Sequence, residues 1–517
     1  MCFIRLKHLS ASKKIGTLRG ICIELTPAKI SLLCSNSCPN FKYIGGAVPF
    51  YTLTRTNITT LHQEIPIEKL TQTFQDALLV IRQLGLHYIW IDSLCIIQDD
   101  EEDWGREAVL MSQVYGNATV NISATKAENG SFGLFTSRSV PLVDRHFVQG
   151  KNTRNLFELE DPKVLNRCLH EAPLSQRGWC FQEQFLATRT LHFTAEQLFC
   201  KCQCGIVCET FPTSHYFKLD PFSENTISRS HQFDDREDPW PKLVSRYSRT
   251  QLTYSKDKLI AFSGIARYFQ NNSGDQYLAG LWHQNIGHHL CWKVECEQRR
   301  PGRSRGATYR APTFSWASID QPISWDSTLS GVFAANRRIA PLVSILNVSV
   351  VPLGTDLLGG IKDASLKLQT GPIISCLSLA QFLPAKSSPS NPADLESGIG
   401  IPLQGNYWVE FDEEDDNRRE LDNIWYLPIV GSGCYMKNSL DKIEHMIYGL
   451  VVTQSSAYDR GHYVRLGFLR VELDDEDYEK LMQLLLQDPR SLMGESLYQE
   501  VLATNENGIP QYAITLG

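Results

Sequence analysis

Residues 73–125 read TFQDALLVIRQLGLHYIWIDSLCIIQDDEEDWGREAVLMSQVYGNATVNISAT, and the changes of hydrophobic period within them decide the fold. Leu70, Phe74, Ala77, Leu78, Ile81 and Leu84 recur at helical spacing. They form one apolar stripe and predict an amphipathic helix over 70–84. Gly85 is well placed to end it, because glycine takes the left-handed conformation that closes helices. His87-Tyr88-Ile89-Trp90-Ile91 follows, a short aromatic and β-branched run. Coming directly after a helix, it predicts a buried parallel strand. A second helix is predicted over 103–115, with Trp104, Ala108, Met111 and Tyr115 on one face and Gly116 able to close it. Ala118, Val120, Ile122 and Ala124 then alternate with polar residues and give a second strand. The order helix, strand, helix, strand is that of an α/β fold, a parallel sheet flanked by helices.

Working outward, the whole chain has 517 residues, more than a single hydrophobic core commonly serves, so two or more domains are expected. Hydrophobic residues make up 42% and charged residues 21%, an ordinary globular balance that excludes a disordered or fibrous chain. The net charge of -7 disfavours nucleic acid or an anionic membrane as the main partner. No apolar stretch is long enough to cross a bilayer, so no membrane span is expected. The 15 cysteines are odd in number and scattered, which fits reduced thiols in a cytoplasmic protein. Cys200, Cys202, Cys204 and Cys208 are more closely clustered. Zinc sites usually put two residues between paired cysteines, whereas here one residue separates the first three. A strand with small apolar residues facing the core is the preferred reading, and no metal is assigned.

The residues that could carry chemistry lie in the same stretch. Asp92 falls at the carboxyl end of the first strand, where α/β sheets gather their ligands, although it could equally cap a turn. Ser93 stands beside it. The acids from Gln98 to Asp103 suit the positive end of the following helix. Glu107 comes three residues after Trp104, beside the apolar stripe. A carboxylate there is either salt-bridged or tuned for chemistry. Farther on, Arg177-Gly178-Trp179-Cys180-Phe181-Gln182-Glu183 sets a glycine where a backbone can approach closely. Arg177 could bind phosphate or carboxylate by its planar fork, or pair internally with Glu183 while Trp179 fills the core. Thr190 to Phe193 and Gln197 to Lys201 flank a short turn and predict a β-hairpin.

Two blocks carry a family resemblance. The first is the LG-x-x-Y-x-WID-x-LCIIQDD core with the DW-x-x-E-x-x-x-M-x-x-VY-x-NA helix and its small-residue strand. The second, Leu174 to Phe193, reads LSQRGWCFQEQFLATRTLHF. Together they resemble the central and closing blocks of the fungal heterokaryon incompatibility (HET) domain, over roughly residues 43 to 200. Tyr254 to Ala266 and Pro312 to Ser318 are similar to segments that often follow it. The family's usual LS-x-x-WG opening is missing, since CSNSCPNFKYI precedes Gly45. The resemblance divides the chain into a divergent or misread N-terminus (1–42), a HET domain (43–205) and a C-terminal α+β region (206–517).

HET domains are thought to trigger cell death or growth arrest after non-self recognition between fungal cells. They have been likened to TIR domains, which share the α/β layout. Some TIR domains cleave NAD+ with a helix glutamate, in many of them three residues after a tryptophan, and Trp104-x-x-Glu107 resembles that arrangement. The resemblance thus implies Glu107 as the catalytic carboxylate, Asp92 and Ser93 positioning ribose, and Trp104 shaping the pocket. Arg177 joins them as a substrate-binding candidate. NAD+ would be a substrate, and no cofactor is expected. Self-association through the HET domain and an unidentified protein partner are implied as well. A non-catalytic interaction module and an accessory protein in secondary metabolism are the alternatives.

The C-terminal region is read more coarsely. Leu342 to Pro352 and Leu366 to Thr370 predict strands, as do runs within 423–474, including His462 to Phe468. Asp475 to Gln487 predicts a helix with an acidic start. Residues 296–308 and 385–400 have the composition of loops. No solenoid or propeller repeat and no Walker A motif is present.

Overall fold

A computed structural model describes residues 4–5, 30–33, 50–135, 146–149, 156–159, 163–202, 205–212, 238–301, 305–306, 308–334, 339–375, 407–413, 424–434, 444–455, 460–486, 497–505 and 509–517. The predicted loop at 385–400 and Cys204 lie outside the described residues. The chain divides into two compact units. The first holds Met1–Gln232 with Thr250–Tyr254 and Ile260–Ile265. The second holds Phe233–Arg249, Ser255–Leu259 and Ala266–Gly517.

In the first unit, β1 (Ile4–Arg5) and β2 (Ile30–Leu33) precede the short helix α1 (Ile58–Gln63). Helix α2 (Gln72–Gln83) then begins at Thr71, whose side chain accepts from the Phe74 amide at 3.4 Å. Phe74, Ala77, Leu78 and Ile81 of the predicted stripe are all buried. Gly85 follows with φ +70, the left-handed conformation expected of a closing glycine. Strand β3 (Tyr88–Trp90) leads into a single helical turn α3 (Asp92–Cys95), then α4 (Glu101–Gly116) and β4 (Val120–Ser123). Asp100 caps α4, its side chain accepting from the Glu102 and Asp103 amides. This is the role that the acidic run suggested. A separate hairpin, β5 (His146–Gln149) with β6 (Leu156–Leu159), comes before α5 (Gly178–Leu186). Strands β7 (Arg189–Phe193), β8 (Leu198–Cys202) and β9 (Gly205–Cys208) complete the sheet.

The sheet runs β1-β3-β2-β4-β7-β8-β9. Its inner pairs β3–β2, β2–β4 and β4–β7 are parallel. Antiparallel pairs close both ends, β1–β3 on one side and β7–β8–β9 on the other. The two predicted strands are therefore not neighbours: β2, from the segment before residue 43, lies between them. The predicted hairpin is β7–β8.

Alternation within β3 sorts the two faces. Ile89 and Ile91 join α2, Val120, Ile122 and Leu191 in one apolar cluster. Trp90 joins Met111, Val114 and Tyr115 of α4 and Cys180 of α5 in another. The sheet is thus covered on both faces, and β4 is buried at all four residues. Ser123 of β4 joins a buried hydrogen-bonded chain. Ser123 meets the Thr125 hydroxyl at 2.8 Å, and Thr125 meets His192 Nδ1 at 3.0 Å.

The second unit is rich in sheet. Seven strands follow in the order Ile339–Pro341, Trp425–Cys434, Glu444–Gln454, His462–Leu473, Tyr512–Leu516, Ile361–Thr370 and Val343–Pro352. Three short strands attach beside this path. All pairs are antiparallel except His462–Leu473 with Tyr512–Leu516. The predicted C-terminal helix spans Asp475–Leu486. Arg465 is buried inside this unit. Its Nε donates to Asp412 at 3.0 Å and its Nη1 to the Leu290 carbonyl at 2.6 Å, while the guanidinium stacks on Trp292. A buried cation is tolerated when its donors are paired in this way. Among the described residues, no helix is long and apolar enough to cross a membrane.

Candidate functional site

Asp92 begins α3 directly after β3, and both it and Ser93 are buried. Asp92 Oδ1 accepts from the Ser93 amide at 2.6 Å. Backbone bonds tie this turn to the chain at Leu53: the Leu53 amide donates to the Ser93 carbonyl and the Gln98 amide to the Leu53 carbonyl, at 2.8 and 2.9 Å.

Helix α5 brings Glu183 toward Asp92, and α4 brings Tyr115, whose hydroxyl hydrogen-bonds to Glu183. Both Glu183 and Tyr115 are buried. Burial, and then the charge of Asp92, push the Glu183 carboxyl up to about 8, against the opposing pull of Arg177 and of the Tyr115 hydroxyl. Burial together with the charges of Glu183 and Asp92 holds the Tyr115 hydroxyl well above its ordinary range, so it stays a donor. Two acids thus share one buried space with a half-buried cation, and the second acid keeps its proton near neutral pH.

The close approach read at Gly178 is present. Its amide donates to the Gln251 carbonyl at 2.8 Å, and the Gln251 amide donates to the Gln176 carbonyl at 2.7 Å. A Cβ on Gly178 would lie 2.5 Å from Leu252 Cδ2. One turn on, Gln182 Oε1 accepts from the Gly264 amide at 2.6 Å, and Phe181 stacks on Phe262. Segments 250–252 and 262–264 therefore fix the helix that presents Glu183.

Trp104 packs edge-on against Trp179 with ring centroids 6.0 Å apart, and both border the apolar cluster around Trp90 and Tyr115. Glu107, on the next turn of α4, is half-buried. Its Oε2 is buried with no hydrogen-bond partner among the described residues. Burial raises its pKa and the charge of Asp103 adds to the rise, while Arg106 opposes it.

The structure thus brings Asp92 and Arg177 around a common pair, Glu183 and Tyr115, and brings Trp104 to Trp179. The charged side chains acting on Glu107 include Asp103 and Arg106 of its own helix. Arg177 acts on Glu183 by its charge, which opposes the rise of that carboxyl's pKa. In the sequence Tyr115 stands only as part of an apolar face; the signal for its role is its hydroxyl, which a buried tyrosine must satisfy. Of the clustered cysteines, Cys200 packs in the core under α2 and Cys208 in a separate cluster with Phe199 and Ile206.

Residues 43–183 match the family model for heterokaryon incompatibility protein (HET). The matched HET segment runs to Glu183 and so takes in Asp92, Ser93, Trp104, Glu107, Tyr115 and Arg177. A HET domain ties the chain to heterokaryon incompatibility at the level of the family. No curated protein and no solved structure matches the chain.

Proposed function

We propose that this protein acts in a heterokaryon incompatibility-type response, and that its HET domain signals by cleaving NAD+ at the nicotinamide–ribose bond. The observation that carries the reading is the buried Glu107 oxygen without a protein partner among the described residues. An orphaned buried carboxylate oxygen is costly, and a bound ligand would relieve it. Breaking the N-glycosidic bond builds an oxocarbenium-like centre on ribose. Glu107 stabilises that cation, water adds at the anomeric carbon, and nicotinamide, ADP-ribose and a proton result. Trp104 supplies an apolar wall, Asp92 and Ser93 position ribose, and Arg177 takes a phosphate.

A parallel core of four strands with α2 on one face and α4 and α5 on the other supports the TIR-like layout that this chemistry presupposes. On this reading the protein works in the fungal cytoplasm, self-associates through the HET domain, and ends in cell death or growth arrest. The second reading, a non-catalytic interaction module, draws on the engagement of Asp92 with Glu183 inside the core. Expression in a fungal host separates the two. The enzyme reading expects arrested growth with falling cellular NAD+, both lost in Glu107→Gln. Growth arrest with unchanged NAD+ would select the interaction module.

A further inference from the structure

The second unit assembles metal-binding chemistry of its own. Asp238, His288 and His289 each offer a ligand atom, and these atoms lie within 4.8 Å of one another. Both histidines are buried, while Asp238 is half-buried. We propose that Asp238, His288 and His289 form a divalent transition-metal site, with zinc the best-fitting ion.

The donor set selects the class of ion. Two imidazole nitrogens and one carboxylate oxygen suit zinc and its neighbours, whereas calcium and magnesium favour all-oxygen shells. Zinc binds such ligands at about 2.0–2.2 Å, so two of them on one ion stand about 3.5 Å apart. The present separations need modest side-chain movement to reach that geometry. The two imidazole rings lie 5.9 Å apart and are tilted by 35°.

The orientation of His289 and Asp238 is already set. His289 Nδ1 accepts from the Trp282 amide at 3.1 Å, which commits that nitrogen. Nε2 is left facing Asp238 Oδ2 at 2.7 Å, where it carries the proton that a metal ion would displace. Asp238 is itself held: Oδ1 accepts from the Trp240 amide at 3.0 Å and Oδ2 from Asn285 Nδ2 at 2.8 Å. The Trp325 indole donates to the His288 carbonyl at 2.9 Å and steadies the backbone that carries both histidines. Such outer contacts are what orient metal ligands. Three protein ligands leave a fourth position for water or another ligand, the pattern of sites that exchange ligands rather than closed structural ones. The partial exposure of Asp238 gives the ion a way in.

The test uses the full chain, stripped with chelator and titrated with Zn2+ in a calorimeter, then with Co2+ in a spectrophotometer. The site predicts saturable binding and a raised Tm. Asp238→Asn and His288→Gln should each weaken binding at least about tenfold. Bound Co2+ should show visible bands without the near-ultraviolet thiolate band, which separates this site from the 15 cysteines. If one variant does not fold, the other variant and the wild-type Co2+ spectrum decide. No binding, unchanged binding in a folded variant, or a thiolate-type spectrum each overturns the proposal and leaves Asp238 and His289 as an ordinary hydrogen-bonded pair.

Discussion

Glu183 keeps a proton that most glutamates have released by neutral pH. Its carboxyl sits at about 8 in the fold against an ordinary value of 4.5. Between those two values the unfolded chain gives up the proton while the folded chain holds it. Stability must therefore fall as pH rises through that window, by an amount on the order of 3–5 kcal/mol. Glu183→Gln, which stays neutral and can still accept from Tyr115, should flatten this slope and raise Tm at pH 8 relative to wild type. Thermal melts from pH 5 to 8.5 check it; parallel slopes in the two proteins would refute the assignment. Asp92→Asn should lower the Glu183 pKa, because the charge of Asp92 is the second cause of its rise. Asp92 was legible in the sequence because a strand end is a positional signal. The partnership with Glu183 was not, since the two acids come from blocks 91 positions apart (183 − 92) and meet only once α5 is docked.

At the scale of elements, the central strand β3 could be read from its aromatic and β-branched composition after a helix, and β4 from its alternation. Strand β2 could not. It stands before a segment without the family's usual opening. Yet Ser31 pairs with Trp90 on one side and Asn121 on the other. Proline cannot donate to such a ladder, so Leu32→Pro should destabilise the fold, seen as a lowered Tm. An unchanged melt would remove β2 from the sheet. The docking of α5 rests on the missing side chain at Gly178. Gly178→Ala would push a Cβ against Leu252, and overpacking of this kind costs about 1–3 kcal/mol. Denaturant midpoints measure it, and a neutral result would mean that segment 250–252 yields freely.

For the whole molecule, the first compact unit reaches beyond the family blocks. The family blocks end near residue 200, whereas segments 250–254 and 260–265 belong to the same compact unit. Gln251, Phe262 and Gly264 hold α5 from beyond any local pattern. A fragment of residues 43–205 lacks those contacts and β2 as well, and it should melt lower than one spanning 1–265. In the second unit the long strands were legible from their composition, as with His462–Leu473. Their order in the sheet was not, because Tyr512–Leu516 enters between His462–Leu473 and the much earlier Ile361–Thr370.

The measurement that bears most directly on the functional account is nicotinamide release from NAD+ by purified full-length protein, at concentrations that allow self-association. Glu107→Gln and Glu183→Gln would be assayed alongside. The account predicts release by wild type, loss of release in Glu107→Gln, and retained release in Glu183→Gln with its altered pH stability. Release that survives in folded Glu107→Gln, or none from folded wild type at any concentration, would contradict it.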